Sequence, residues 1–163
     1  MLLRAVVVGL ALAGPQSLAA QAAPPAKVAA SVRRVFGAGA RTDTLALDSA
    51  SVLRISRADT LLGFAQVRNA RGKDQPITYL VAVDPGGRLR DVDILVYREP
   101  YGGEVAYEPW RRQFRGKAAD SPLVVGRDIQ GISGATISVN AVTAGVRRAV
   151  AAFAAWRGRG LLR

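Results

Sequence analysis

Three hydroxyl-bearing residues, Ser133, Thr136 and Ser138, fall close together near the end of a 163-residue chain that holds no cysteine and no histidine. Gly134 and Ala135 stand between the first two and add almost no side-chain bulk. Directly after them an apolar periodicity begins that predicts a helix, and hydroxyls at the start of a helix have two uses. One is capping, in which Ser138 or Thr136 accepts from a backbone N–H two or three residues on, contributing about 1 kcal/mol. The other is to stand beside a phosphate, because the first N–H groups of a helix lack partners and its positive dipole end attracts anions. In that use the backbone of Ser133, Gly134 and Ala135 cradles the phosphoryl group and Thr136 supplies the hydroxyl. The residues alone leave both uses open. Missing residue types exclude much else: there is no thiol nucleophile, no imidazole base and no ordinary zinc or copper site. Redox chemistry here requires a bound organic cofactor, and no metal ligand set is expected.

The elements that must position this segment are legible in outline. The last helix carries Val139, Val142, Val146, Val150, Phe153 and Trp156 as one stripe at spacings of three and four. Arg157, Arg159 and Arg163 follow where cations complement the helix dipole. Upstream, 61–69, 77–84 and 88–97 alternate as strands. Ile77, Tyr79, Val81 and Val83 share a face in the second; Val92, Ile94 and Val96 share one in the third, with Asp91 and Asp93 opposite. Asp84-Pro85-Gly86-Gly87 is a strong turn signal between them, and Arg71-Gly72-Lys73-Asp74 a weaker one. These read as an antiparallel meander with one buried face. A short helix is predicted over 28–36, stopped by Gly37-Ala38-Gly39, and strands over 42–48 and 51–55. A short helix over 108–114 turns Trp110 and Phe114 inward. The fold class is α+β, with helices covering one side of an antiparallel sheet.

The first residues read as an export signal. Met1-Leu2-Leu3-Arg4 is a cationic start, an apolar run follows from Ala5 to Gly14, and Ala20-Gln21-Ala22 has the small-x-small form of a cleavage site. That run is about ten residues, against roughly twenty for a bilayer span. The organisation expected is therefore a signal peptide at 1–22, a leader with a short helix and strands at 23–60, and the main domain at 61–157. The formal charge of +11 is almost entirely arginine. Those arginines are scattered rather than clustered, and no aromatic-rich nucleic-acid motif accompanies them, so nucleic acid is not an expected partner.

With the motifs in place, the chain resembles the FMN-binding domain family, which includes flavin subunits of the sodium-translocating NADH:quinone oxidoreductase and of the Rnf electron-transport complex. Ser133-Gly134-Ala135-Thr136 looks like the family's S/T-G-A-T. Ser138-Val139-Asn140-Ala141-Val142 with Val146 looks like its following helix, and Gly86-Gly87-Arg88-Leu89-Arg90-Asp91-Val92 like its strand pair. Glu99-Pro100-Tyr101-Gly102-Gly103 is similar to its E-T-P-G loop, and Phe114-Arg115-Gly116-Lys117 to its F-x-G-K segment. The blocks occur in family order over roughly 61–155. One position departs: the family places an acid three residues before the Ser, where this chain has Gln130. The nearest acid is Asp128.

The resemblance implies FMN joined through a phosphoester to Thr136, installed by a magnesium-dependent flavin transferase, with Ser133, Gly134 and Ala135 around the phosphate. The isoalloxazine ring needs an apolar or aromatic bed and cationic groups that tune its reduced form. Tyr101, Gly102 and Gly103 are the candidates for the bed, with Tyr97 behind; Lys117, Arg98, Arg111 and Arg112 are the candidate cations. Set against this, a strand-end tyrosine, a glycine turn and solvated arginines are ordinary features, and Trp110 and Trp156 read as core. The implied role is an exported electron-transfer relay, periplasmic or extracytoplasmic and membrane-associated, that exchanges electrons with membrane or extracytoplasmic redox partners and carries no catalytic residue of its own. Two other roles stand beside it: an electron-feeding subunit of an extracytoplasmic reductase, and a cofactor-free basic binding module.

Overall fold

A computed structural model describes residues 23–162; the expected signal peptide at 1–22 lies outside them. Helix α1 (Pro25–Phe36) leads into five strands, β1 (Arg41–Leu47), β2 (Ala50–Arg57), β3 (Thr60–Arg71), β4 (Pro76–Val83) and β5 (Leu89–Val96). Short helical turns follow at Gly103–Ala106, at α2 (Glu108–Arg111) and at Arg112–Phe114, before the long helix α3 (Thr136–Gly158). The strands form one antiparallel sheet in sequence order. The two N-terminal strands thus continue the sheet of the central meander. Two-residue hairpin turns make this join, with Asp48 and Ala58 in the left-handed region at φ 52° and 47°.

The meander is buried on both faces, which corrects the expectation of one. Tyr79, Val81 and Val83 of β4 face α3, packing with Phe64, Val92, Val142, Val146 and Phe153. Leu80 and Ala82 face the other way, toward Val32 and Phe36 of α1, together with Ile55, Ala65 and Leu95. A helix therefore covers each side of the central strands. All six stripe residues of α3 are buried as expected, and Gly145 is what lets the helix come so close. A Cβ there would lie 1.9 Å from the Tyr79 hydroxyl. At its far end α3 is pinned to the β1–β2 turn: Trp156 Nε1 donates to the Asp48 carboxylate at 2.7 Å, and both Arg159 Nη atoms reach the same group.

Asp91 and Asp93 lie on the α1 side of β5, where the sequence alone suggested solvent. Arg34 of α1 reaches Asp91 at 2.5 Å and Asp93 at 2.8 Å, and the buried Arg111 reaches them at 3.2 and 3.5 Å. A buried carboxylate without such partners would be strongly destabilising. The network instead ties α1, β5 and α2 together. Trp110 and Phe114 pack edge to face with ring centroids 5.1 Å apart, inward as expected. Among the described residues, no helix is long and apolar enough to cross a membrane and no cluster of metal-ligating side chains occurs.

Candidate functional site

Three segments far apart in sequence meet at one end of the molecule: the β3–β4 turn, the loop that leaves β5, and the start of α3. They enclose a cavity of about 350 Å³ lined by Lys73, Glu99, Pro100, Tyr101 and residues 134–138. A second cavity of about 300 Å³ adjoins it, sharing Pro100, Tyr101 and Gly134 and adding Gly102, Gly103, Glu104, Tyr107 and Ser133. Tyr101 is 81% exposed between the two, with Tyr107 at 64% and Ile137 at 51% on their walls. Among the described residues, three of the five exposed large hydrophobic side chains stand at this end of the molecule.

Each segment is held by a specific device. Glu99 accepts the N–H groups of Asp74 and Gln75 on one oxygen, at 2.8 and 3.0 Å, and so fastens the β3–β4 turn to the loop. The Gln75 N–H holds the Glu99 carboxyl below its ordinary range against desolvation, helped by the N–H groups of Asp74 and Lys73 and by the Lys73 charge. Gly72 is required at this junction, because a Cβ would fall 2.2 Å from the Glu99 carboxylate oxygen and 2.5 Å from the Gln75 carbonyl. On the other side of the loop, Tyr97 Oη donates to the carbonyl of Tyr101 and lies 2.8 Å from Ser138 Oγ. A phenol has one proton to give, so Ser138 is the donor in the second bond.

The start of α3 decides between the two uses of its hydroxyls. Its N-cap is Ala135, and no side chain caps it. The capping role considered for Thr136 and Ser138 is therefore not filled by either. Ser138 is buried and committed to Tyr97, whereas Thr136 is exposed at the first helical position on the cavity wall. Thr136, Ile137 and Ser138 thus bring the first helical N–H groups, which have no intrahelical acceptors, to a cavity with small residues at its edge. Ser133 and Gly134 are exposed and Ala135 is buried. Gly134 adopts φ 78° with open space around it. An anion at this helix end and a planar group against Pro100, Tyr101 and Ile137 fit the residues present, and Lys73 brings a positive charge to the same wall.

Of the residues singled out in sequence, Thr136, Ser133, Gly134, Ala135, Tyr101, Gly102 and Gly103 come together here. Lys117 does not line either cavity. Its ammonium lies 3.1 Å from Asp128, near the Leu89 end of β5, where its backbone also bonds Leu89. Arg111 is likewise spent on Asp91, because buried carboxylates draw the nearest guanidinium. Asp128 is occupied too. Burial alone would raise its carboxyl, but the N–H groups of Val124 and Leu123 and the Lys117 charge bring it below the ordinary value. The Gln130 side chain is exposed, while its backbone is fixed by Gln113 at 2.7 Å and by Trp110 Nε1 at 2.9 Å. Lys73, Ile137 and Tyr107 were not expected from the sequence. The signal for Ile137 was its place within the hydroxyl segment; nothing local marked the other two.

Residues 72–151 match the model of the FMN-binding domain family. That span contains every residue lining both cavities and leaves out α1, β1, β2 and β3. The chain is also similar to a component of the proton-translocating ferredoxin:NAD(+) oxidoreductase complex of Clostridium ljungdahlii, being 33% identical over 101 residues. The match covers 58% of this chain and 55% of that protein, so the chain spans about half the length of this curated relative.

Proposed function

We propose, from the membership of residues 72–151 in the FMN-binding domain family, that this chain is an exported flavoprotein carrying FMN on Thr136 and acting as an electron-transfer subunit beside membrane redox partners. The observation that carries the reading is the uncapped start of α3, with an exposed Thr136 on the wall of the larger cavity. The N–H groups at residues 136–138 hold the phosphate, and Gly134 and Ala135 leave it room. Pro100, Tyr101 and Ile137 offer the ring its bed, and Lys73 places a cation on the same wall. FMN, once bound, supplies one- and two-electron transfer.

Energetics favour a covalent link over simple binding. A helix end contributes about 0.3–1 kcal/mol to an exposed anion and up to about 2 kcal/mol when partly buried. Holding a ligand at micromolar concentration takes about 8 kcal/mol. An open cavity on a small domain leaves most of that to the ring contacts, and after export a dissociated flavin is lost by dilution. An ester at Thr136 removes the difficulty and leaves the ring edge accessible to partners. Maturation then requires a flavin transferase that moves the FMN half of FAD to the Thr136 hydroxyl and releases AMP, and the signal peptide expected at 1–22 directs the chain to where that enzyme works.

The experiment is co-expression with an exported flavin transferase, followed by intact-mass measurement and in-gel fluorescence of the denatured chain. The expected mass rises by FMN less one water, and Thr136→Ala abolishes the rise with the fold retained, since Thr136 caps nothing. A colourless wild-type chain under these conditions refutes the reading and leaves the cofactor-free basic module.

A further inference from the structure

Tyr101 combines two properties that seldom occur together. Its side chain is 81% exposed, yet its own backbone carbonyl is bonded by the hydroxyl of Tyr97. That same hydroxyl accepts from Ser138 Oγ at 2.8 Å, and Ser138 is buried on the first turn of α3, two residues beyond Thr136. Gly102 closes the junction at φ 86°. A Cβ there would meet Tyr97 Oη at 2.7 Å, Ser138 Oγ at 3.2 Å and the Ala135 side chain at 3.3 Å. Two hydrogen bonds and a glycine contact therefore lock the loop bearing Tyr101 to the helix bearing Thr136.

We propose that Tyr97 is a positioning residue, whose hydroxyl fixes the Tyr101 backbone against the start of α3 so that the Tyr101 ring stands as a preformed stacking platform beside Thr136. This rests on the FMN reading above and adds how the ring is oriented. Pre-organisation lowers the ordering cost of contact, so a rigid aromatic platform holds a planar ligand better than the same residue on a loose loop. A tethered cofactor needs this more than a free one. The ester fixes only the phosphate end, while the ring swings on a flexible chain until a surface stops it. Tyr97 touches no reacting atom in this account and acts through Tyr101 alone.

The test uses Tyr97→Phe, Tyr101→Ala and the double variant, each matured by co-expression and checked by intact mass. A stacked tyrosine quenches flavin emission. Emission from the loaded wild type is therefore low, and Tyr101→Ala raises it severalfold. Tyr97→Phe is expected to carry the full FMN mass, to raise emission toward the Tyr101→Ala level, and to add nothing in the double variant. In the unloaded protein, Tyr97→Phe speeds amide exchange over 101–105 while the interior of α3 keeps its protection. Fully loaded Tyr97→Phe with wild-type emission and wild-type exchange overturns the proposal, and so do effects of the two substitutions that simply add. Wild-type protein without the FMN mass overturns the parent reading instead, which the mass measurement identifies separately.

Discussion

Gly102→Ala, set beside Gly134→Ala, isolates the contribution of the Tyr97–Ser138 junction to stability. Both glycines are left-handed, at φ 86° and 78°. An L-residue in that region costs roughly 1–2 kcal/mol, and the loss of unfolded-state freedom on adding a methyl returns about 0.4–1 kcal/mol. At Gly134 nothing lies within 4 Å of the added carbon, so a net loss of about 1 kcal/mol or less is expected there. At Gly102 the new methyl sits 2.7 Å from Tyr97 Oη and 3.2 Å from Ser138 Oγ. Either the bond between those hydroxyls opens or the loop withdraws from the helix. Leaving the buried Ser138 hydroxyl unpaired costs a further 1–3 kcal/mol or so, which places Gly102→Ala at about 1–4 kcal/mol, above Gly134→Ala by that packing difference. For a chain of this size, each kcal/mol lowers Tm by about 3–5 °C. Urea titration and calorimetry on the unloaded protein separate the two cases. Equal losses for the two variants would refute the reasoning, because the backbone term is common to both and only the packing differs.

Three other outcomes are expected. Glu99 is held below its ordinary pKa of 4.5, so it adds stability that is complete above that value and disappears as pH falls through the lowered folded value. The Tm advantage of wild type over Glu99→Gln should therefore shrink on acidification, and a gap that stays constant from neutral pH into acid contradicts this. Gly145→Ala overpacks the contact between α3 and β4, costing about 1–3 kcal/mol. Because the clash is with the Tyr79 hydroxyl oxygen, adding Tyr79→Phe should recover part of the loss, and strictly additive denaturation free energies would count against it. Gln130→Asp restores an acid three residues before Ser133, at an exposed position whose backbone is already fixed. It should quicken FMN incorporation in a mass-spectrometric time course without changing Tm, and an unchanged rate removes charge at that position from the account.

Strand and helix positions were readable from runs of strand-forming residues between turn signals in β3, β4 and β5, and from the spacing of three and four along α3. The second covered face was harder to see, although the sign was present. Tyr79-Leu80-Val81-Ala82-Val83 is a continuous apolar run, and a strand buried on both sides loses its alternation. The hairpin turns at Asp48-Ser49 and Ala58-Asp59 carry no glycine, so the left-handed residues that join β1 and β2 to the sheet gave no local signal. Lys117 was misplaced for a different reason. Its position depends on Asp128, and which carboxylate captures a lysine is settled by the path of the backbone between β5 and α3.

The site divides in the same way. At about 100° per residue, Ser138 lies about 40° from Val142 on the buried stripe, but Thr136 lies about 40° from Val150 and about 60° from Val139, so the helix period alone does not separate the two hydroxyls. The fold separates them: Ser138 is buried against Tyr97, whereas Thr136 opens the helix at the cavity wall and is exposed. A buried serine hydroxyl needs a partner. The identity of that partner was not legible: Tyr97 is 41 residues away, and only the route of the meander brings its ring to the helix. The same holds for Glu99, whose loop block was recognisable but whose contact with the Asp74 and Gln75 N–H groups spans 25 and 24 residues. The motif therefore brings the hydroxyls to one helix end, and the fold decides which of them is exposed and what holds the surrounding surface still.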